Sequence, residues 1–246
     1  MDISDDQILE SQRAVANGLV TKLNARKVTG PVAVAIEMIG GRIVASGNSL
    51  AVLRNNAPHD YGFDAASIVR NIYDAMLQGL YIMADPAKRK DRAQLYLEFM
   101  DVERKQRIEL MDCSSTDVAK RISGSPKRIS SEPKIEKRFN EVKAKYQTEK
   151  GTIRRYWYPG TLRDLAKAAD LEPEYELMQR LLSGVVHSSP LTLKEGPLVH
   201  GFRLIDWHWR FAFRILGAYA EYKGIALDQT EQCLISSARQ NVFDLP

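Results

Sequence analysis

Arg180 and His187 are the residues of this sequence whose types and spacing best suit work on a phosphate. They sit in RLLSGVVHSSP, Arg180 to Pro190, seven positions apart. At about 100° per residue, seven steps return to within about 20° of alignment and advance about 10.5 Å along a helix. Arg180, Ser183, Gly184 and His187 therefore share a polar face. Met178, Leu181, Leu182, Val185 and Val186 form the apolar stripe that a core would bury. A guanidinium offers planar paired donors to phosphate oxygens, and an imidazole exchanges a proton near neutral pH. Gly184 leaves room on that face for a phosphate or another helix. The chemistry these residues suit is phosphate binding, with a proton moved and charge stabilised beside it. The same residues also fit a structural role, in which His187 serves the last carbonyls of its helix.

Spacing alone does not single out this pair. Arg54 with His59 and Arg203 with His208 lie at comparable separations. Pro58 interrupts the first pair at a helix end. The second, five apart on a helix, is about 140° out of phase. A second polar face accompanies the chosen pair. Arg70, Tyr73, Asp74, Leu77 and Tyr81 recur at helical spacing, with Arg70 and Asp74 an i,i+4 ion pair. If the two faces meet, Arg70, Asp74, Arg180 and His187 form one constellation, with Tyr73, Ser183, Gly184 and Ser188 as substrate contacts. The plainer reading of Arg70 and Asp74 is a salt bridge that sets helix register.

The elements that must position these residues are helical almost throughout. Ser4 and Gln7 form a capping box opening a helix to about Lys27. Pro31 starts a second helix towards Asn55, where Gly40, Gly41 and Gly47 predict a bend or break. Further helices are expected over Phe63–Ala84, Ala87–Met111, Pro133–Lys150, from Thr161, from Pro173 to Ser188, over His200–Lys223 and over Gln229–Gln240. No strand pattern persists. The expected architecture is an all-α helical bundle, one domain over residues 1–246. Its core helices lie at about 4–84 and 161–240, with a basic, partly flexible helical insertion at about 85–155. Trp207-His208-Trp209, though chemically inviting, reads as packing on a long helix.

Charge and composition set the outer limits. With 44% hydrophobic and 27% charged residues, wholesale disorder is excluded. Net charge is +4, but residues 85–155 carry 19 Lys/Arg against 12 Asp/Glu, which suits a polyanionic partner. A solvated helical surface would show the same excess. Cys113 and Cys233 are far apart and lack zinc spacing, so neither a disulfide framework nor a metal site is expected, and no cofactor motif is present. The acidic start MDISDDQILE lacks the order of a signal peptide, and the apolar run Pro31–Ile39 is too short to span a bilayer. The expectation is a cytoplasmic protein without membrane contact.

Arg180 and His187, with six residues between them, resemble the Arg–His motif of HEPN ribonucleases, helical bundles that use an Arg followed by four to six residues and a His. That resemblance implies a metal-independent endoribonuclease leaving 2′,3′-cyclic phosphate and 5′-OH ends. His187 and Arg180 would be catalytic, assisted by Arg70 and Asp74, in a homodimer of the kind that serves as toxin or phage-defence effector under a regulatory protein partner. Leu181, where many such enzymes have a polar residue, departs from the pattern. SIVRNIYDAML (Ser67 to Leu77), YWYPGTLRDLAKAADLEPEY (Tyr156 to Tyr175) and MQRLLSGVVHSSP (Met178 to Pro190) resemble the helical family known as domain of unknown function 5677. Asp74 stands there for the usual Glu, and Trp157 and Gly160 are one residue further apart than usual. The alternative function is a non-catalytic helical module binding nucleic acid or protein.

Overall fold

The computed structural model describes residues 4–56, 61–113, 133–186 and 201–240. His59, His187, Ser188 and the expected helix end at Ser188-Ser189-Pro190 lie outside them. The protein is all-α, and among the described residues the only strand-like pairing is an isolated bridge between Gln147 and Ile153. Contacts divide the chain into two compact units, Met1–Arg89 with Gly160–Pro246, and Lys90–Pro159.

The first unit is built around one helix. In order it holds α1 (Asp5–Ala25), α2 (Pro31–Asn56) and α3 (Gly62–Met83); α6 (Leu162–Ala168), α7 (Glu172–Val186), α8 (Gly201–Lys223) and α9 (Gln229–Arg239) follow. Local chemistry sets several ends. Ser4 and Gln7 make the expected capping box, and Thr161 with Asp164 and Asp228 with Glu231 make two more. Each box satisfies backbone N–H groups that the first turn leaves without partners.

α8 buries sixteen of its residues, so it packs on nearly all sides rather than along one stripe. Tyr73 rings with Phe211 at 5.0 Å, and Ile215 lies under Gly79, so α3 runs in the same sense as α8. α2 runs against it, from Glu37 beside Lys223 to Ile43 beside His208. The buried Lys223 ammonium donates to the carbonyls of Leu23 (2.7 Å) and Arg26 (2.9 Å), closing the C-terminus of α1. Gln12 donates to Asp206 at 2.8 Å, fixing α1 to the other end of α8.

One sequence expectation changes here. α2 is one continuous helix, not broken at its glycines. Gly47 is instead the point of closest approach to α8: a Cβ there would stand 2.5 Å from the Trp209 ring and 2.7 Å from His208 Nε2. Trp207, His208 and Trp209 are all buried, in agreement with a packing role.

His208 is fully buried, and its Nε2 pairs with the Ile43 carbonyl at 2.8 Å while Nδ1 has no hydrogen-bond partner among the described residues. Burial outweighs that bond and pushes the imidazole pKa down to about 4. The neutral ring therefore stabilises the fold fully above the ordinary value of about 6.5, and that contribution drains away as pH falls toward 4. Urea midpoints at pH 7 and pH 4.5 should fall less in His208→Gln than in wild type, since the amide can keep the Ile43 bond without titrating. Identical pH slopes in the two proteins would sink the assignment.

The second unit holds most of α4 (Arg89–Cys113), then α5 (Pro133–Val142), a 3-10 turn (Lys143–Tyr146) and the aromatic stretch to Pro159. Ala93, Phe99 and Val102 of α4 are buried, with Val142 and Tyr146. The polar helix expected to reach Lys150 stops at Val142. Past it, Tyr146 donates to the Leu95 carbonyl at 2.7 Å, and the chain turns back at Gly151, whose φ is 75°. Among the described residues no helix is long and apolar enough to cross a membrane.

Candidate functional site

α7 displays the phase read from the sequence. Met178, Leu182 and Val185 are buried, Arg180 is exposed, and Ser183 and Gly184 are half-buried. Arg180 makes no ion pair among the described residues. Pro173 occupies the first turn of the helix, where its missing N–H costs nothing. Upstream, Arg163 of α6 pairs with Glu172 at 2.8 Å and Glu176 at 3.2 Å, tying the two helices together.

On α3, Arg70 and Asp74 form the expected i,i+4 ion pair. Their side chains are 12% and 25% exposed. Burial raises the pKa of the Asp74 carboxyl, against the opposing pull of the Arg70 guanidinium. Tyr175 of α7 lies within the electrostatic reach of this pair. Its hydroxyl pKa is raised, chiefly by burial, with Arg70 drawing it down and Asp74 pushing it up. Tyr175 and Arg180 are five positions apart, so Arg180 leaves the helix about 140° away and about 7.5 Å further along. The described residues thus pair Arg70 with Asp74 within the electrostatic reach of Tyr175, and set Arg180 on the outward face.

Beneath the pair lies an arrangement the sequence reading missed. Tyr73 is fully buried, its ring against Phe211. Its hydroxyl makes no hydrogen bond of normal geometry, yet lies in the field of the Glu174 carboxylate. Burial and then that charge raise its pKa. Glu174 is itself bound by both ends of the Arg214 guanidinium, Nη1 to Oε1 at 2.6 Å and Nη2 to Oε2 at 2.8 Å. The two side chains are 1% and 3% exposed. Arg214 Nη2 also donates to the Gln240 carbonyl at 2.8 Å, and Nε to the Ala238 carbonyl. Forked donors matched to a carboxylate are the geometry in which a buried charge is tolerated. One signal was available: an arginine inside the apolar run Phe211–Ala220 must find a partner.

The arrangement can therefore do two things. The Tyr73–Glu174–Arg214 layer fixes α7 against α3 and α8, and the outer face of α7 presents an exposed cation, Arg180, with no ion pair among the described residues. Among the described residues, no group of three or more His, Cys, Asp or Glu side chains could hold a metal ion.

No curated protein and no solved structure matches the chain. A family profile does match, over residues 41–196, and it spans all three segments whose residues suggested a family, together with α3, α6 and α7. The chain belongs to that family, described as a family of unknown function (DUF5677).

Proposed function

We propose that the protein is a metal-independent endoribonuclease acting through Arg180 and His187. The observation that carries this reading is Arg180, exposed on the side of α7 opposite buried Met178, Leu182 and Val185 and free of ion pairing among the described residues. Such a guanidinium is available to a scissile phosphate and to the charge that builds on it. His187, seven residues or just under two turns further on by sequence and so close to the same helical phase, takes the proton of the 2′-OH as general base. The O2′–P bond forms, the P–O5′ bond breaks, and the leaving 5′ oxygen takes a proton from solvent. The products are a 2′,3′-cyclic phosphate and a 5′-OH. Arg70, held by Asp74, supplies a second cation, and a homodimer supplies a second Arg–His pair.

The test is end-labelled RNA incubated in EDTA with wild type, His187→Ala and Arg180→Ala. Wild type should cleave and leave cyclic-phosphate ends. Each variant should lose activity by about 100-fold or more, the usual worth of one general base or one oxyanion-stabilising group. Cleavage undiminished in His187→Ala would end the proposal.

A second reading has its own observation. Arg180 projects about 140° from Tyr175, which lies within the electrostatic reach of Arg70 and Asp74, so these residues need not act as one centre. A non-catalytic helical module binding nucleic acid or protein would use them separately. On that reading, binding survives His187→Ala and no cleavage accompanies it.

A further inference from the structure

In the second unit, positive charge gathers on one short, folded-back stretch. Between Lys143 and Arg155 five cations face a single acid, Glu149. The 3-10 turn Lys143–Tyr146 leads into the bridge between Gln147 and Ile153. Thr148 donates its N–H to the Thr152 carbonyl at 2.8 Å, and Gly151 to the Thr148 carbonyl at 2.9 Å. Arg154 then donates its N–H to the Tyr146 carbonyl at 2.7 Å. The result is a small hairpin that lays Lys143 and Lys145 alongside Arg154 and Arg155.

Carboxylates neutralise few of these cations. Lys145 is taken by Glu98 at 2.6 Å. Lys143 donates to the neutral Asn140 at 2.7 Å and lies over the Phe139 ring. Lys150, Arg154 and Arg155 make no ion pair among the described residues. Arg154 donates from Nη2 to the Lys145 carbonyl at 2.6 Å and lies over the Tyr146 ring, with its Nε buried and without a hydrogen-bond partner among the described residues.

Beside them stands an aromatic platform. Tyr156 is 38% exposed, and its ring stacks on Tyr158, centroids 5.2 Å apart and planes within 3°. Tyr158 and Trp157 are buried, and Trp157 packs edge-on to Tyr96. The exposed ring is thus held flat by buried neighbours. Arg155 already lies over it at 5.4 Å, in the position a second planar group would share or take.

A cation cluster by itself attracts any polyanion. A flat exposed ring at its edge selects one with planar faces to offer, and a duplex hides those faces inside its stack. We propose that the hairpin of residues 143–158 is a landing site for single-stranded RNA. One base stacks on Tyr156 under Arg155, and the backbone phosphates meet Lys143, Lys150 and Arg154. The choice of RNA over DNA rests on the ribonuclease reading; the stacking and phosphate chemistry does not.

The experiment is fluorescence anisotropy of the full chain with a single-stranded 2′-O-methyl RNA of about 12 nucleotides, which the 2′-OH mechanism cannot cleave. Tyr156→Ala should weaken binding about tenfold or more, and Tyr156→Phe should restore it, because a phenyl ring stacks as well. Replacing Lys143, Lys150 or Arg154 with Gln should lower the slope of log affinity against log salt by about 0.7 for each lost phosphate contact. Binding to a duplex, or to anionic phospholipid vesicles, as tight as to the single strand would overturn the proposal. So would Tyr156→Ala binding like wild type. Tyr156-dependent binding without any cleavage leaves this site standing and removes the ribonuclease reading. Cleavage with a KM untouched in Tyr156→Ala does the reverse.

Discussion

Arg214→Ala is expected to lower folding stability by about 3–5 kcal/mol, because it strands the Glu174 carboxylate in the core. It also removes the donors to the Ala238 and Gln240 carbonyls that hold the end of α9. Glu174→Ala should cost a similar amount by leaving the guanidinium unmatched, though Arg214 keeps its two carbonyl partners. The pair replaced together, Arg214→Met with Glu174→Leu, should recover much of the loss, since apolar groups of similar volume need no partner. Urea midpoints at unchanged slope would measure all three variants. A double variant no more stable than the worse single one would show that the charges do more than satisfy each other. Because Glu174 opens the helix that carries Arg180, loss of the clamp should also reduce any activity of that face more than it reduces binding at the Tyr156 hairpin.

The second large effect is expected at Gly47. A methyl group there would press on the Trp209 ring at 2.5 and 2.8 Å and on His208 Nε2 at 2.7 Å. Neither ring is the loose end of a flexible chain: Trp209 and His208 are buried, and His208 is tied to Ile43. The helices must move apart, and Gly47→Ala should cost about 3 kcal/mol. Gly18→Ala provides the contrast. That glycine lies in α1 with nothing within 4 Å of its Cβ position, so the substitution should stabilise by about 0.5–1 kcal/mol through helix propensity alone. Melting temperatures of the two variants moving in opposite directions would confirm the close approach of α2 and α8; a neutral Gly47→Ala would disprove it.

The helices themselves were readable because their signals are local. A Ser-x-x-Gln box, a proline at the start of α2 and a Thr-x-x-Asp box at α6 act within three residues, and no distant partner can cancel them. The phase of α7 was readable for the same reason: a stripe of Met178, Leu182 and Val185 needs only the helical period. Where local signals compete with contacts made far away, the reading went astray. Gly40, Gly41 and Gly47 suggested a bend or break in α2 by propensity, but tertiary packing overrides propensity, and the missing side chain at Gly47 admits α8. The polar run after Val142 has helical composition, yet Tyr146 anchored at Leu95 turns it into a hairpin.

The residues around the candidate site divide along the same line. Sequence alone determined that Arg70 pairs with Asp74, since both ends lie on one turn of one helix, and that Arg180 faces away from the core. Only the tertiary structure decided that Tyr175 of α7 comes within the electrostatic reach of that pair. It also decided that Tyr73 is a core residue and that Glu174 and Arg214 find each other across forty positions. The physical reason is that a helical period sets directions within one element. The partners of a buried charge depend on how elements pack against one another.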